Sequence, residues 1–168
     1  MTDLRVTALL FCALACAPRK DASRPSDSSA AASATAAPAI SLERTPCFGG
    51  CPVYSVAVSP SGDVTYEGKA NVRQLGKASG KVPQKQVEAL LVELEKAGYF
   101  SMANRYAASE PTCGRYSTDS PSVITSVTVR GRSKRIEHDY GCGAAPGSLV
   151  VLERRIDDVL GSGRWTGR

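Results

Sequence analysis

Val53-Tyr54-Ser55-Val56-Ala57-Val58-Ser59-Pro60-Ser61-Gly62-Asp63-Val64-Thr65-Tyr66-Glu67 reads as a hairpin. Val53 to Val58 alternates between the two faces of a strand. Ser59 to Asp63 is a turn in which Gly62 supplies a positive φ, and Val64 to Glu67 returns as the partner strand. Strands joined by tight turns pair antiparallel, so the stretch predicts a sheet built from hairpins.

The rest of the chain extends that pattern. Ile40-Ser41-Leu42-Glu43-Arg44 alternates in the same way, and Ala70 to Leu75 reads as a further strand before Gly76. Pro83 opens a helix on which Val87, Leu90, Leu91, Leu94 and Ala97 recur at helical spacing and which Gly98 ends. Tyr99, Phe100 and Tyr106 follow in an irregular segment as expected aromatic core plugs. Val123 to Val129 alternates, Arg130-Gly131-Arg132 turns, and Ser133 to Tyr140 runs back. Pro146 opens a second helix carrying Leu149, Leu152, Ile156, Val159 and Leu160, closed at Gly161. The order strands, helix, strands, helix predicts an α+β fold: an antiparallel sheet with both helices packed on one face.

Upstream of the sheet the composition changes. Arg5 precedes an apolar run from Val6 to Ala15, too short to span a bilayer and of the length of a signal-peptide core. The run ends in Ala13-Leu14-Ala15-Cys16, which resembles a bacterial lipobox, so Cys16 is the expected lipidation site, carrying palmitate-type acyl chains as the mature N-terminus. Residues 17–39 are Ala, Ser, Pro and Thr with few charges and no apolar periodicity, a flexible tether holding its ends about 25–30 Å apart. The expected organisation is a leader over 1–16, a tether over 17–39 and one domain over 40–168. It would be exported and lipid-anchored in the cell envelope, with the outer membrane favoured over the inner because Pro18 rather than Asp follows Ala17.

The formal charge of +5 is mild and scattered. Nucleic-acid binders carry a denser basic stripe with stacking aromatics, so no nucleic-acid partner is expected. Of the six cysteines, four fall in the domain: Cys47, Cys51, Cys113 and Cys142. An even number in an exported domain implies disulfides with three connectivities. Gly49-Gly50 lets the short loop curl to bridging distance, which favours Cys47 with Cys51 and Cys113 with Cys142. The spacing in Cys47-Phe48-Gly49-Gly50-Cys51 is C-x3-C, not the C-x-x-C of thioredoxin-like motifs. Zinc on these cysteines, with or without His138, lacks a second close pair, and no metal or cofactor is expected.

These residues carry a family resemblance. Arg44-Thr45-Pro46-Cys47-Phe48-Gly49-Gly50-Cys51-Pro52-Val53-Tyr54, Gly62 to Gly68, Thr118-Asp119-Ser120-Pro121, His138-Asp139-Tyr140-Gly141, Leu149, Leu152, Ile156-Asp157 and Trp165 together resemble an uncharacterised bacterial domain of unknown function, found in exported proteins and lipoproteins. The resemblance covers most of the chain from Ile40 to Trp165 and implies no activity.

Candidate site residues follow from chemistry alone. His138 is the only histidine and shares a strand face with Ile136 and Tyr140; Asp119 could orient it or hold a turn. Arg44 and Tyr54 of the opening motif, and Arg130, Arg132 and Lys134 of one hairpin, are candidate binding residues. No nucleophile elbow, phosphate-cradling glycine loop, paired metal histidines or dinucleotide fingerprint occurs. The leading expectation is a noncatalytic envelope module that binds a protein or cell-wall partner. The alternative is a small hydrolase or thiol oxidoreductase using His138 with Asp119, or Cys47 with Cys51. No set of residues specifies a reaction.

Overall fold

The computed structural model describes residues 38–167. The expected leader, Cys16 and nearly all of the expected tether lie outside the described residues. Strands β1 (Ile40–Arg44), β2 (Val53–Val58), β3 (Asp63–Ala70) and β4 (Gly76–Lys81) precede helix α1 (Gln84–Lys96). A two-residue strand β5 (Arg105–Tyr106), the hairpin β6 (Ser122–Val129) and β7 (Arg132–Asp139), helix α2 (Gly147–Leu160) and a single turn α3 (Gly163–Thr166) complete the fold.

The seven strands form one sheet in the order β4-β3-β2-β1-β6-β7-β5. All neighbours are antiparallel except the edge pair β5 and β7. This is the α+β arrangement expected from the hairpins. β1 sits at the centre, with Ile40 opposite Val58 on one side and Val127 on the other. The ladder begins one residue before the expected domain start: Ala39 is buried and its backbone bonds to Val58 and Thr128.

One expected strand is placed differently. Ala70 to Leu75 does not form its own strand; β3 already runs to Ala70, Asn71 takes a left-handed φ of 53°, and the next strand starts at Gly76. Asn tolerates that conformation, and here its side-chain amide also donates to the Cys51 carbonyl. Polar Lys77 and Ser79 gave β4 no apolar alternation to read.

Ile40, Leu42, Val56, Val58, Val64, Tyr66, Val123, Val127 and Ile136 face a single core with Val87, Leu90 and Leu94 of α1 and Leu149, Leu152, Ile156 and Leu160 of α2. Both helices therefore cover the same sheet face. The expected aromatic plugs Tyr99 and Tyr106 are buried there, and the Tyr99 hydroxyl lies 2.7 Å from the Thr125 hydroxyl. Trp165 stacks on Tyr66 at 4.8 Å, and its carbonyl takes the Gln74 amide, so the last turn closes over the β3–β4 end of the sheet. No helix among the described residues is long and apolar enough to cross a membrane.

Candidate functional site

The motif stretches are scattered along the chain but meet at one end of the covered sheet face. Strand register accounts for the meeting: Tyr54 lies opposite Arg44, Arg44 opposite Val123, Val123 opposite His138, and His138 opposite Tyr106. Because side chains alternate along a strand, this row points to the same side as Ile40, Leu42 and Ile136. α2 crosses above it. Glu153 and Asp157, one helical turn apart, project from the edge of its apolar stripe onto the row.

Asp157 anchors one half of the site. Its Oδ2 accepts from Arg44 Nε at 2.9 Å and Nη2 at 2.7 Å, and its Oδ1 accepts from the Tyr54 hydroxyl at 2.6 Å and the Ser162 hydroxyl at 2.7 Å. Burial works against the Arg44 charge, but the adjoining Asp157 carboxylate more than restores it, so the guanidinium is held above its ordinary range. Burial, and then Asp157, push the Tyr54 hydroxyl well above the usual phenol value.

Glu153 anchors the other half. Its Oε1 lies 2.9 Å from His138 Nδ1, and its Oε2 accepts from the Tyr140 hydroxyl at 2.9 Å. Tyr140 accepts in turn from Arg44 Nη1 at 3.4 Å, joining the two halves into one hydrogen-bonded chain from His138 to Ser162. His138 and Glu153 are almost wholly buried, with side chains 3% and 1% exposed. Burial is the main cause that raises the Tyr140 phenol.

The loops beside this network are pinned at several points. Thr45 exchanges backbone and side-chain hydrogen bonds with Ser122, and the Phe48 amide donates to the Asp119 carbonyl. Cys47 bonds to Cys51 across a Cα separation of 5.7 Å, and Cys113 to Cys142 across 4.5 Å. The first bridge closes the motif loop; the second ties the long connection before β6 to the segment after β7. Gly141 is required where that segment crosses it, since a Cβ there would stand 2.0 Å from the Ser117 carbonyl oxygen.

A cavity of about 740 Å³ opens at this end of the sheet. Arg44, Tyr54, Tyr140 and Asp157 reach it from the network, Pro52 and Pro121 form apolar wall, and Arg154 and Arg164 stand at its edge. Phe48, on the loop whose Cys51 lines the cavity, is 88% exposed.

The sequence candidates are distributed as follows. Arg44 and Tyr54 sit together on Asp157. His138 joins the same network, but its partner is Glu153. Asp119 is exposed in a loop with a left-handed φ of 70°, its carboxylate taking the Thr118 hydroxyl and its carbonyl the Phe48 amide. Arg130, Arg132 and Lys134 lie at the opposite end of the β6–β7 ladder. There Arg130 pairs with Glu95 at 3.6 Å, Arg132 covers the Phe100 ring and Lys134 donates to the Met102 carbonyl. Cys47 and Cys51 are engaged in their disulfide. Among the described residues no group of three or more His, Cys, Asp or Glu side chains is placed to hold a metal ion.

Glu153 went unremarked in the sequence, although a signal was present. It occupies a stripe position between Leu149 and Ile156 where an apolar residue is expected, and an acid there needs a buried partner.

A family model described as a domain of unknown function, DUF6438, matches residues 38–160. The chain belongs to the DUF6438 family. No curated protein matches it in sequence. The DUF6438 match contains every residue of the hydrogen-bonded chain except Ser162, and ends at Leu160, so α3 and Trp165 lie beyond it. The two disulfides of this DUF6438 domain fit an oxidising, extracytoplasmic compartment.

Proposed function

We propose that this chain is a lipid-anchored envelope protein whose DUF6438 domain binds a protein or cell-wall partner without catalysing a reaction. The observation that carries the noncatalytic reading is the state of Asp157. All its acceptor positions are taken by Arg44, Tyr54 and Ser162, so it has no lone pair left for a substrate proton. Ser162, whose hydroxyl lies 2.7 Å from the Asp157 carboxylate, is buried and donates to that same saturated group. What remains accessible is suited to contact: an exposed aromatic on a disulfide-closed loop beside a partly apolar cavity. Support for the tether comes from the leader-like start, the lipobox-like Ala13-Leu14-Ala15-Cys16 and the disulfides.

Two measurements on cells test the reading. Labelled palmitate should enter the wild-type chain and not Cys16→Ser; equal labelling of both removes the anchor. Phe48→Ser, whose side chain touches little, should keep the wild-type melting temperature yet fail to complement a deletion of the gene. Full complementation by Phe48→Ser, together with a stable but inactive His138→Gln, would overturn the binding reading in favour of chemistry.

A further inference from the structure

Resting on that binding reading, we propose that the cavity takes a single carboxylate carried on an apolar body, such as the C-terminal end of a peptide, on the outer edge of the Arg44 guanidinium. A guanidinium has five N–H donors. For Arg44, Nε and one Nη2 hydrogen go to Asp157, Nε also reaches the Tyr54 hydroxyl, and one Nη1 hydrogen goes to Tyr140. One N–H on each of Nη1 and Nη2 has no acceptor among the described residues. In a planar guanidinium the outer N–H bonds of Nη1 and Nη2 are parallel and point away from the side chain, at the spacing of the two oxygens of a carboxylate. Arg44 lines the cavity with its side chain only 16% exposed, so this fork is held in place rather than free to swing.

The surroundings select the charge and the body of the ligand. Arg154 and Arg164 add positive charge at the edge; Arg164 is held by the Trp165 ring and the Leu160 carbonyl. Against them stand Asp158, and the carbonyl end of α2 at Leu160, which repel negative charge. That balance admits a monoanion and disfavours a phosphate dianion. Pro52, Pro121 and the rings of Tyr54 and Tyr140 offer an apolar wall to whatever carries the carboxylate.

The test is calorimetric titration of the purified full chain with N-acetylphenylalanine, its uncharged amide, and inorganic phosphate. The acid should bind at least about tenfold more tightly than the amide and more tightly than phosphate. Arg154→Ala should weaken acid binding at least about threefold with no change in melting temperature. Arg44→Lys, which keeps the charge but loses the fork, should abolish the preference for acid over amide. The proposal is overturned if acid and amide bind alike, if phosphate binds more tightly, or if the acid shows no binding at about 10 mM. It is equally overturned if Arg154→Ala binds as wild type does. Should the acid fail while Phe48→Ser still loses complementation, the ligand chemistry is wrong and the binding module stands.

Discussion

Arg44 and Asp157 lie 113 positions apart in the chain and meet at 2.7 Å, with side chains 16% and 15% exposed. Breaking a buried pair leaves the survivor uncompensated, at about 3–5 kcal/mol when burial is complete. Asp157→Asn should therefore cost about 2–4 kcal/mol in urea unfolding, given the partial exposure here. Replacing both partners, as Arg44→Met with Asp157→Leu, should recover at least half of that loss. A cost below about 0.5 kcal/mol for Asp157→Asn would place the pair among ordinary surface contacts.

The two disulfides should contribute unequally. In the chain-entropy picture, closing the loop between Cys113 and Cys142, with a separation of 29, contributes about 3.7 kcal/mol, and closing that between Cys47 and Cys51, with a separation of 4, about 2 kcal/mol. Paired Cys→Ala variants compared by denaturant midpoint should keep that order, all the more because Cys113 and Cys142 are buried. The reverse order would show that the motif loop carries more of the fold than its length implies.

His138 and Asp119 should respond differently to replacement. His138→Gln removes a buried partner of Glu153 and should lower stability by about 1–3 kcal/mol, with cellular function falling only as far as folding does. Asp119 is exposed with a left-handed backbone that Asn adopts equally well, so Asp119→Asn should stay within about 0.5 kcal/mol of wild type. Thermal melts of the two variants side by side settle the contrast. A large loss for Asp119→Asn would point to a structural role for its carboxylate.

Alkaline pH should unfold the domain through its tyrosines. Burial raises Tyr54, Tyr66, Tyr99 and Tyr140, with Tyr99 pushed up to about 12. A phenol raised in the fold favours the folded state while neutral. Its contribution is thus complete below pH 10, the ordinary value, and is lost as pH climbs through the folded value. For Tyr99 the loss reaches about 2 kcal/mol by pH 12. Tyrosinate absorbance should lag behind that of the denatured chain, and unfolding midpoints should be flat up to about pH 9 and fall above 10. Tyrosines that all titrate at 10 in the folded protein would contradict this.

Much of the architecture was legible because it rests on local signals. The hairpin around Gly62, the helix stops at Gly98 and Gly161 and the Cys47–Cys51 loop each depend on residues close in sequence. The strand shifted from Ala70–Leu75 to Gly76–Lys81 escaped because β4 lies at the sheet edge, where nothing demands apolar alternation. The site was legible only as separate pieces. Arg44, Tyr54 and His138 could be picked out by type, but their convergence depends on β1 pairing with β6 and on where α2 crosses, and neither is written in any local stretch. Asp119 reads equally as a residue that orients His138 or one that holds a turn, while Glu153, the acid that bonds His138, is hidden in an apolar stripe.

The central place of β1 bears on how the chain folds. β2, β3 and β4 can assemble one after another as they become available, but Ile40 must wait for Val127 before β1 has both neighbours. Contacts between such distant segments pay their loop-closure entropy before they are rewarded, which slows folding. The oxidised chain should accordingly refold in milliseconds to seconds, with core formation at β1 and β6 as the late event; stopped-flow Trp165 fluorescence completing in microseconds would rule this out. A chain with this order of events keeps one edge of β1 open, with its backbone groups unpaired on that side, until β6 is available to close it.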